Sequence, residues 1–182
     1  MTPRTLLGAA SLAAGLAAAG FGNIASSQDA PPFGGEEARA YADTLWAALN
    51  EANLAGDNAV NTVPYEGTEP HGLILETLHY DLEVDGHTGL VVVKRNYGPQ
   101  DLTVEDVQRD RRQHMGSITV MFQREEGFDP DNNNWFWVKY LADGSLDQTP
   151  EGVPMAGQVA GCIGCHQEAE GGDYLYTWDL PQ

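Results

Sequence analysis

The residues of this chain whose types and spacing most clearly specify chemistry are two cysteines and a histidine near its C-terminal end. They form the segment Cys162-Ile163-Gly164-Cys165-His166, which holds both cysteines of the 182-residue chain. Two cysteines separated by two residues and followed directly by histidine form the attachment motif of a c-type haem. The thiols add across the haem vinyl groups, and the adjacent imidazole becomes the proximal ligand of the iron. The motif predicts one covalent haem c per chain, held by Cys162 and Cys165, with His166 on the iron.

Three other chemistries use closely spaced cysteines, and the sequence argues against each. A structural zinc site needs four nitrogen or sulfur ligands, and the chain has no second cysteine pair. A thioredoxin-like CxxC pair lies near the start of a βαβ unit, whereas this motif follows a series of predicted strands. A simple disulfide between Cys162 and Cys165 leaves His166 unexplained. Haem attachment is the interpretation that uses all three residues.

The N-terminal residues have the composition of an export signal. Arg4 supplies a basic start, residues 6–21 are apolar and rich in alanine, and Ala25-Ser26-Ser27 offers small residues for cleavage. The apolar run is short for a helix that spans a bilayer. We therefore expect a signal peptide over residues 1–27 and a single haem c domain over residues 28–182. We also expect no membrane span in the mature chain and a periplasmic location, which agrees with attachment of c-type haem outside the cytoplasm in bacteria.

Acidic residues dominate the charge of the chain. It has 27 Asp and Glu residues against 9 Lys and Arg residues, for a net charge of −18 at pH 7. Such a charge argues against nucleic acids and anionic lipid surfaces as partners, and it suits a cationic redox partner or a high-salt habitat. The only two lysines, Lys94 and Lys139, lie within apolar runs. That placement is unusual for a side chain that is normally solvated.

Periodicity predicts one helix followed by four strands. From Glu36 to Leu49, apolar residues recur at helical spacing. Alternation and β-branched or aromatic content predict strands over residues 73–84, 89–96, 117–124 and 135–141. Asp85-Gly86 predicts a hairpin turn between the first two strands. The predicted fold class is α+β: an antiparallel sheet of about four to five strands, an N-terminal helix and a C-terminal haem-attachment segment.

Two polar segments have less specific patterns. Residues 103–113 predict a short helix with Thr103 as its N-cap. The three arginines of this helix are interpreted as a solvated face, with contact to haem propionates or to a partner as the alternative. Residues 126–134 share the Asp and Asn alternation of a calcium loop but lack its glycine and glutamate positions. We therefore favour a plain loop there.

Three segments, in this order, resemble the cytochrome P460 family and its relative cytochrome c′-β. They are Gly89-Leu-Val-Val-Val-Lys94, Asn134-Trp-Phe-Trp-Val-Lys-Tyr140, and Cys162-Ile-Gly-Cys-His166 followed by Asp173-Tyr174. The resemblance extends over residues 72–178. It implies an antiparallel sheet packed by helices, with the haem against one sheet face, and a homodimer.

Lys94 ends a Val-rich strand at the position where, by this resemblance, cytochrome P460 proteins carry a lysine bonded to the porphyrin edge. A lysine desolvated in an apolar pocket becomes a nucleophilic amine. The alternative is a lysine whose stem covers apolar surface while its amine stays in water. The resemblance favours a Lys94 that faces the haem, as a cofactor-binding and catalytic residue.

The distal side of the haem depends on the strand predicted over residues 117–124. Family members that oxidise hydroxylamine use a distal carboxylate as proton acceptor, and the resemblance implies a need for one here. The strand offers Thr119, Met121 or Phe122, depending on register, and there is no carboxylate until Glu125. A distal phenylalanine is the mark of cytochrome c′-β, whose apolar cap favours binding of nitric oxide.

No sequence pattern supports a protein ligand opposite His166. The candidates are the histidines His71, His79, His87 and His114 and the methionines Met115, Met121 and Met155. An isolated histidine is more often a surface or packing residue than a ligand. Methionine ligation would turn the site into a simple electron carrier. We therefore expect a five-coordinate iron with an open distal side.

The resemblance implies redox chemistry on a small nitrogen compound, with hydroxylamine oxidation as the first hypothesis. The nitrogen would bind ferric iron, and the electrons would pass through the haem to a redox partner protein. Two alternatives remain open. The first is non-enzymatic binding or scavenging of nitric oxide, and the second is simple periplasmic electron transfer.

Overall fold

The structure is a computed structural model that describes residue 1, residues 32–99 and residues 101–176. The predicted signal peptide lies outside the described residues, apart from Met1. The helices are α1 (Glu36–Glu51), α2 (Val104–Arg109), α3 (Arg111–His114) and α4 (Ala160–His166). The strands are β1 (Tyr65–Glu66), β2 (Ile74–Val84), β3 (His87–Tyr97), β4 (Met115–Gln123), β5 (Trp135–Leu141) and β6 (Ala156–Gly157). None of the described helices has the length and apolar character needed to cross a membrane.

The six strands form one antiparallel sheet in the order β1 to β6, so each strand pairs with the next along the chain. β2 and β3 pair down to Val84 opposite His87. Asp85 and Gly86 close this hairpin with φ angles of 50° and 78°, the conformation that a two-residue hairpin turn requires. The predicted α+β class is confirmed, with six strands instead of four or five. β1 and β6 have two residues each, which is too short to show an alternating pattern.

One face of the sheet is covered by α1. The helix buries Ala42, Leu45 and Leu49, which belong to the apolar stripe predicted from its sequence. The strand residues that pack against this stripe include Val91, Val93, Val120, Phe122, Phe136 and Val138. Tyr140 is fully buried, and its hydroxyl donates a hydrogen bond of 2.7 Å to the carbonyl of Ala42. This bond ties the helix to the sheet.

A charged cluster is buried on the same face. The carboxylate of Glu76, which is fully buried, accepts hydrogen bonds from Arg95 (3.0 Å) and Arg111 (2.8 Å). It also accepts one from the hydroxyl of Tyr97 (2.7 Å). Arg95 donates to two further carbonyls in the loop that follows α1. Because a buried charge is tolerated only when it is paired and hydrogen-bonded, this cluster fixes β2, β3 and α3 to one another.

The polar segment after β3 forms two short helices instead of the single predicted helix. Thr103 caps α2 as predicted, through a reciprocal pair of hydrogen bonds with Asp106. Asp110 then interrupts the helix, and its carboxylate caps α3 by accepting from the N–H of Gln113. The three arginines of the segment form ion pairs and line a cavity on the helix-covered face. These arginines therefore line a different cavity from the one that holds the two cysteines.

Residues 126–134 form a loop with a 3-10 turn at Pro130–Asn132. The carboxylate of Asp129 accepts from the side-chain amide of Asn132, and the side-chain oxygen of Asn134 accepts from two backbone N–H groups. The Asp and Asn side chains thus stabilise the turn. Within the described ranges, no group of three or more His, Cys, Asp or Glu residues is placed to hold a metal ion.

Candidate haem site

The second face of the sheet carries the cavity that holds both cysteines. Strand register places Val92, Met121 and Trp137 side by side across β3, β4 and β5, where they form a buried apolar floor. The neighbouring row across β2 to β5 consists of Thr77, Lys94, Thr119 and Lys139. Because side chains alternate along a strand, both rows point away from α1. The only two lysines of the chain therefore line one cavity.

Helix α4 presents the haem-attachment motif to this cavity. Cys162 is half-buried and Cys165 is exposed, and both are free thiols. They line the cavity together with His166 and Lys94. The structure thus brings together all four residues predicted for the site. The sequence analysis predicted no helix here, and the two glycines of α4, Gly161 and Gly164, disfavour one locally.

The Cys162 thiol has a perturbed acidity. Burial raises the pKa of this thiol to about 11, and the nearby positive charge of Lys139 opposes the shift. A redox-active CxxC pair depends on a thiol whose pKa is lowered. The Cys162 environment is therefore the opposite of a thioredoxin-like site, and it is compatible with a thiol that ends as a thioether.

His166 is oriented by a hydrogen bond of 2.7 Å between its Nδ1 and the carbonyl oxygen of Tyr174. A carbonyl only accepts, so Nδ1 carries the proton and Nε2 presents a lone pair. The ring also packs against Trp137 and Tyr176, with centroid distances of 4.9 Å and 5.3 Å. The imidazole is therefore held in the tautomer that a proximal iron ligand needs.

Tyr174 is positioned by the loop that precedes β5. Its φ of 68° lies in the left-handed region, which is costly for a residue with a side chain. Its hydroxyl donates to the side-chain oxygen of Asn132 at 3.0 Å, and the Trp135 indole donates to the carbonyl of Asp173 at 3.1 Å. The Asp- and Asn-rich loop thus supports the carbonyl that orients His166. No sequence pattern indicated Asn132 or Trp135 as part of the site.

The structure separates the three candidates for the distal residue. Thr119 and Met121 line the cavity. Phe122 is fully buried on the opposite face, with its ring centroid 6.4 Å from that of Tyr41. A distal phenylalanine at position 122 is therefore wrong, because neighbouring residues of a strand point to opposite faces. Among the described residues that line the cavity there is no Asp or Glu.

The structure also separates the remaining candidate ligands. His71, His79, Met121 and Met155 line the cavity. His87 lies instead beside the carbonyl of Gln123 at 3.1 Å, and Met115 packs against the core of the helix-covered face. The ring of His71 comes close to that of His166, with a centroid distance of 6.0 Å. This proximity could not be seen in the sequence, because His71 stands alone in a loop.

The cavity residues fit a haem. Two thiols and a ligating imidazole nitrogen converge there, above an apolar floor that suits a macrocycle. Two residues of the lining also carry buried polar atoms with no hydrogen-bond partner in the described part of the chain, the indole nitrogen of Trp137 and the side-chain oxygen of Asn96. Buried polar groups are normally satisfied, and the indole N–H of Trp137 could donate to a polar edge of a bound group.

Comparison with known families decides the assignment. The Cytochrome P460 family model matches residues 76–177, from β2 to beyond the haem motif. The chain belongs to the cytochrome P460 family. As a cytochrome P460 protein it is a haem c protein, in agreement with the residues that line the cavity. Comparisons with curated proteins and with solved structures gave no significant match.

Proposed function

We propose that this cytochrome P460 protein is exported to the periplasm and carries out redox chemistry on a small nitrogen compound, with hydroxylamine as its substrate. The observation that carries the proposal is the single cavity lined by Cys162, Cys165, His166 and Lys94. When bound, the haem would supply an iron that coordinates nitrogen and passes electrons onward. The residues of the chain attach the haem, orient its ligand and shield the site.

Attachment and orientation come from α4 and from the segment that follows it. Cys162 and Cys165 would form the two thioethers, and His166 would bind the iron through Nε2. The carbonyl of Tyr174 keeps the Nδ1 of His166 protonated, and such a hydrogen bond makes the ligating nitrogen a stronger donor. These residues would hold the iron in one position throughout the reaction.

Lys94 would contact the porphyrin from the sheet. Its backbone is fixed because β3 pairs with strands on both sides, opposite Thr77 and Thr119. The other lysine of the cavity, Lys139, forms an ion pair of 2.8 Å with Asp147. We propose that the Lys94 amine bonds to the porphyrin edge. The N–C bond would replace one N–H and one C–H bond, with two electrons passing through the haem to the external electron acceptor of the proposed function and two protons passing to solvent.

Proton transfer would depend on imidazoles rather than on a carboxylate. Oxidation of hydroxylamine releases protons as well as electrons, so the site needs a proton acceptor. No Asp or Glu lines the cavity within the described residues, whereas His71 and His79 do. We assign the role of proton acceptor to these two histidines.

The second candidate function is binding of nitric oxide without turnover. It is favoured by the absence of a carboxylate from the described lining and by the apolar floor of Val92, Met121 and Trp137. A site of this kind would bind nitric oxide at the iron and lack an efficient route for protons.

The proposed partners follow from charge and from the family resemblance. A net charge of −18 supports a cationic protein as electron acceptor, because opposite charges steer association. The resemblance supports a homodimer. A salt-dependent rate of electron transfer to a basic acceptor protein, and sedimentation of the haem-loaded protein as a dimer, would bear out these two expectations.

Steady-state oxidation of hydroxylamine by the haem-loaded protein, with an artificial electron acceptor, tests the function. We expect turnover in the wild type and a loss of about tenfold or more in Lys94→Met. Lys139→Met is the matched control, because Lys139 is the other lysine of the same cavity, and its amine is held by Asp147. Nitric oxide binding without turnover would favour the second candidate, and inertness toward both compounds would exclude both.

The proposed bond between Lys94 and the porphyrin is tested by mass and by absorption spectroscopy. An intact mass two hydrogens below that of the protein with thioether-bound haem alone, together with a strongly red-shifted ferrous Soret band, would support the bond. A mass and a ferrous spectrum typical of haem c alone would exclude it. Lys94→Met should show the ordinary mass and spectrum.

A further inference from the structure

We propose that His71 is the second axial ligand of the haem iron, opposite His166. The proposal rests on the proposed haem binding, and it goes beyond the family resemblance, which implies an open distal side. The resting protein would then hold a six-coordinate, bis-histidine iron in place of the five-coordinate iron expected from the sequence.

The separation of the two imidazoles fits this arrangement. A metal-bound imidazole nitrogen lies about 2.0 Å from the metal and about 1.1 Å from its own ring centre, so two ligands on opposite sides have centres about 6.2 Å apart. The centroids of His71 and His166 are 6.0 Å apart. An imidazole that only covers a bound ligand without touching the iron would lie farther away, because the ligand itself occupies the space between them.

His71 also has a polar partner for its Nδ1 on strand β4. Its Nδ1 lies 3.3 Å from the hydroxyl oxygen of Thr119, and that hydroxyl donates to the carbonyl of Lys94 at 3.4 Å. In the arrangement we propose, this hydroxyl donates to the Lys94 carbonyl and accepts from His71, so that Nδ1 is protonated and Nε2 is directed to the iron. Both axial imidazoles would therefore have Nδ1 engaged by an acceptor and Nε2 directed to the iron, the arrangement typical of ligating histidines.

The loop that carries His71 is closed by strand pairing. At its ends Glu66 pairs with Ile74, and the N–H of Gly67 donates to the carbonyl of Leu73 at 2.9 Å. A short, closed loop restricts the positions that His71 can take. The other imidazole of the lining, His79, is exposed on β2. It is therefore the natural control for His71.

Ligation by His71 would regulate access to the iron. A nitrogen compound would have to displace this imidazole, so its apparent affinity would be reduced by the fraction of protein in which the distal position is open. Once displaced, the Nε2 of His71 would lie beside the ligand with its lone pair available, as the proton acceptor assigned above requires. His71 would therefore limit access to the iron when bound to it and accept a proton when displaced.

Absorption and electron paramagnetic resonance spectra of the ferric, haem-loaded protein test the proposal. We expect a low-spin spectrum in the wild type, conversion to high spin in His71→Ala, and return to low spin when imidazole is added to that variant. The two rings are nearly perpendicular, with an interplanar angle of 84°. Perpendicular axial imidazoles give a highly anisotropic low-spin signal with a large g-max, whereas parallel imidazoles give a rhombic one.

Matched variants separate ligation from general disturbance of the cavity. His79→Ala, Met121→Leu and Met155→Leu should all stay low spin. Thr119→Val removes the acceptor of the His71 Nδ1 proton and should raise the high-spin fraction, and Thr119→Ser should restore the wild-type spectrum. Binding of nitric oxide to ferric His71→Ala should be at least about tenfold faster than to the wild type, because no imidazole has to leave.

A high-spin wild type would overturn the proposal, and so would a low-spin signal that persists in His71→Ala. If His71→Ala does not fold, near-infrared magnetic circular dichroism of the wild type still decides, since bis-imidazole, imidazole–thioether and imidazole–amine ligation absorb at different energies. Low-spin bis-imidazole iron without hydroxylamine turnover would retain the His71 ligand and reject the proposed function. Hydroxylamine turnover by a protein whose resting ferric iron is high spin would support the proposed function and reject the His71 ligand.

Discussion

The two faces of the sheet are built from the same strands but have opposite physical characters. On the helix-covered face the strand side chains are almost all apolar, and the buried charge of Glu76 is neutralised by arginines within the protein. On the cavity face, lysines, threonines and histidines line an open space. Two adjacent residues of β3 show this contrast. Lys94 lines the cavity, whereas Arg95 is buried on the helix-covered face and pairs with Glu76.

This difference indicates where stability and chemistry reside. On the helix-covered face the buried charges are paired within the protein, so changes there are expected to lower the free energy of unfolding without altering the haem. The cavity face carries residues that conflict with their local pattern, such as a lysine after a run of valines. Such conflicts are expected at functional sites. The following predictions compare the two faces, beginning with the largest effect.

The largest effect is expected for Glu76→Gln, on the helix-covered face. The substitution leaves Arg95, whose side chain is only 2% exposed, without its carboxylate. Removing one partner of a buried ion pair costs about 3–5 kcal/mol, because the other charge remains buried. Denaturant unfolding of the haem-loaded protein measures this loss. Glu83→Gln, at an exposed position of the same strand, should change the free energy of unfolding by less than about 0.5 kcal/mol.

The haem absorption spectrum of folded Glu76→Gln should match that of the wild type. A shifted spectrum, or a loss of stability no larger than that of Glu83→Gln, would contradict the separation of the two faces.

The second comparison uses adjacent residues of β4. Phe122→Leu removes about three buried carbon groups from the core under α1 and should cost about 2 kcal/mol, without a spectral change. Met121→Leu nearly conserves volume and should cost less than about 1.5 kcal/mol. Because Met121 lines the cavity, this variant should stay low spin but shift the positions of the haem absorption bands or alter the affinity for nitric oxide. Denaturant unfolding and nitric oxide titration of both variants measure these effects. A spectral change in Phe122→Leu but not in Met121→Leu would mean that the haem lies on the face of the sheet that carries Phe122.

The parts of the fold that the sequence predicted are those encoded by a local pattern. The long strands β2 to β5 alternate or are rich in β-branched and aromatic residues, the stripe of α1 repeats at helical spacing, and Thr103 with Asp106 forms the predicted capping box. Helix α4 was missed because two glycines disfavour it locally. Its helical form depends on tertiary contacts instead, including those of the Val159, Cys162 and Ile163 side chains with the cavity floor.

The candidate site was predictable only where a motif fixes the chemistry. Cys162, Cys165 and His166 are adjacent in sequence, and Lys94 entered through the family resemblance. The supporting residues are dispersed: His71 lies in a loop, Thr119 in the middle of a strand, and Asn132 in a turn. They meet only because of the sheet register and the return of the chain after α4. A strand pattern does show that Met121 and Phe122 face opposite sides, but not which side carries the haem.

The third prediction concerns alkaline pH and the helix-covered face. Burial raises the pKa of Tyr41 to about 12 and raises that of Tyr140 further. An unfolded tyrosine loses its proton near about pH 10, so above that pH only the unfolded state ionises. The free energy of unfolding should therefore be constant with respect to these groups below about pH 10 and should fall as pH rises toward their folded pKa values.

Tyr140→Phe tests this dependence. It should cost about 1 kcal/mol at neutral pH, through the lost hydrogen bond to Ala42, and it should reduce the alkaline decline. Tyr80→Phe is the control, because Tyr80 is 55% exposed. Denaturant unfolding at several pH values between neutral and alkaline conditions measures both effects. An alkaline decline equally steep in Tyr140→Phe and the wild type would rule out the buried tyrosine as its source.

The smallest effect is expected on the cavity face, from Tyr174→Phe. Loss of the hydroxyl bond to Asn132 at a partly exposed position should cost about 0.5 kcal/mol. The change should loosen the segment whose carbonyl accepts from His166, and a weaker acceptor makes the imidazole a poorer donor to ferric iron. The haem reduction potential should therefore rise slightly, while Tyr140→Phe, although more destabilising, should leave the potential unchanged. Potentiometric titration of both variants decides the matter, since a shift in Tyr140→Phe alone would mean that the helix-covered face, not the Asn132 loop, tunes the haem.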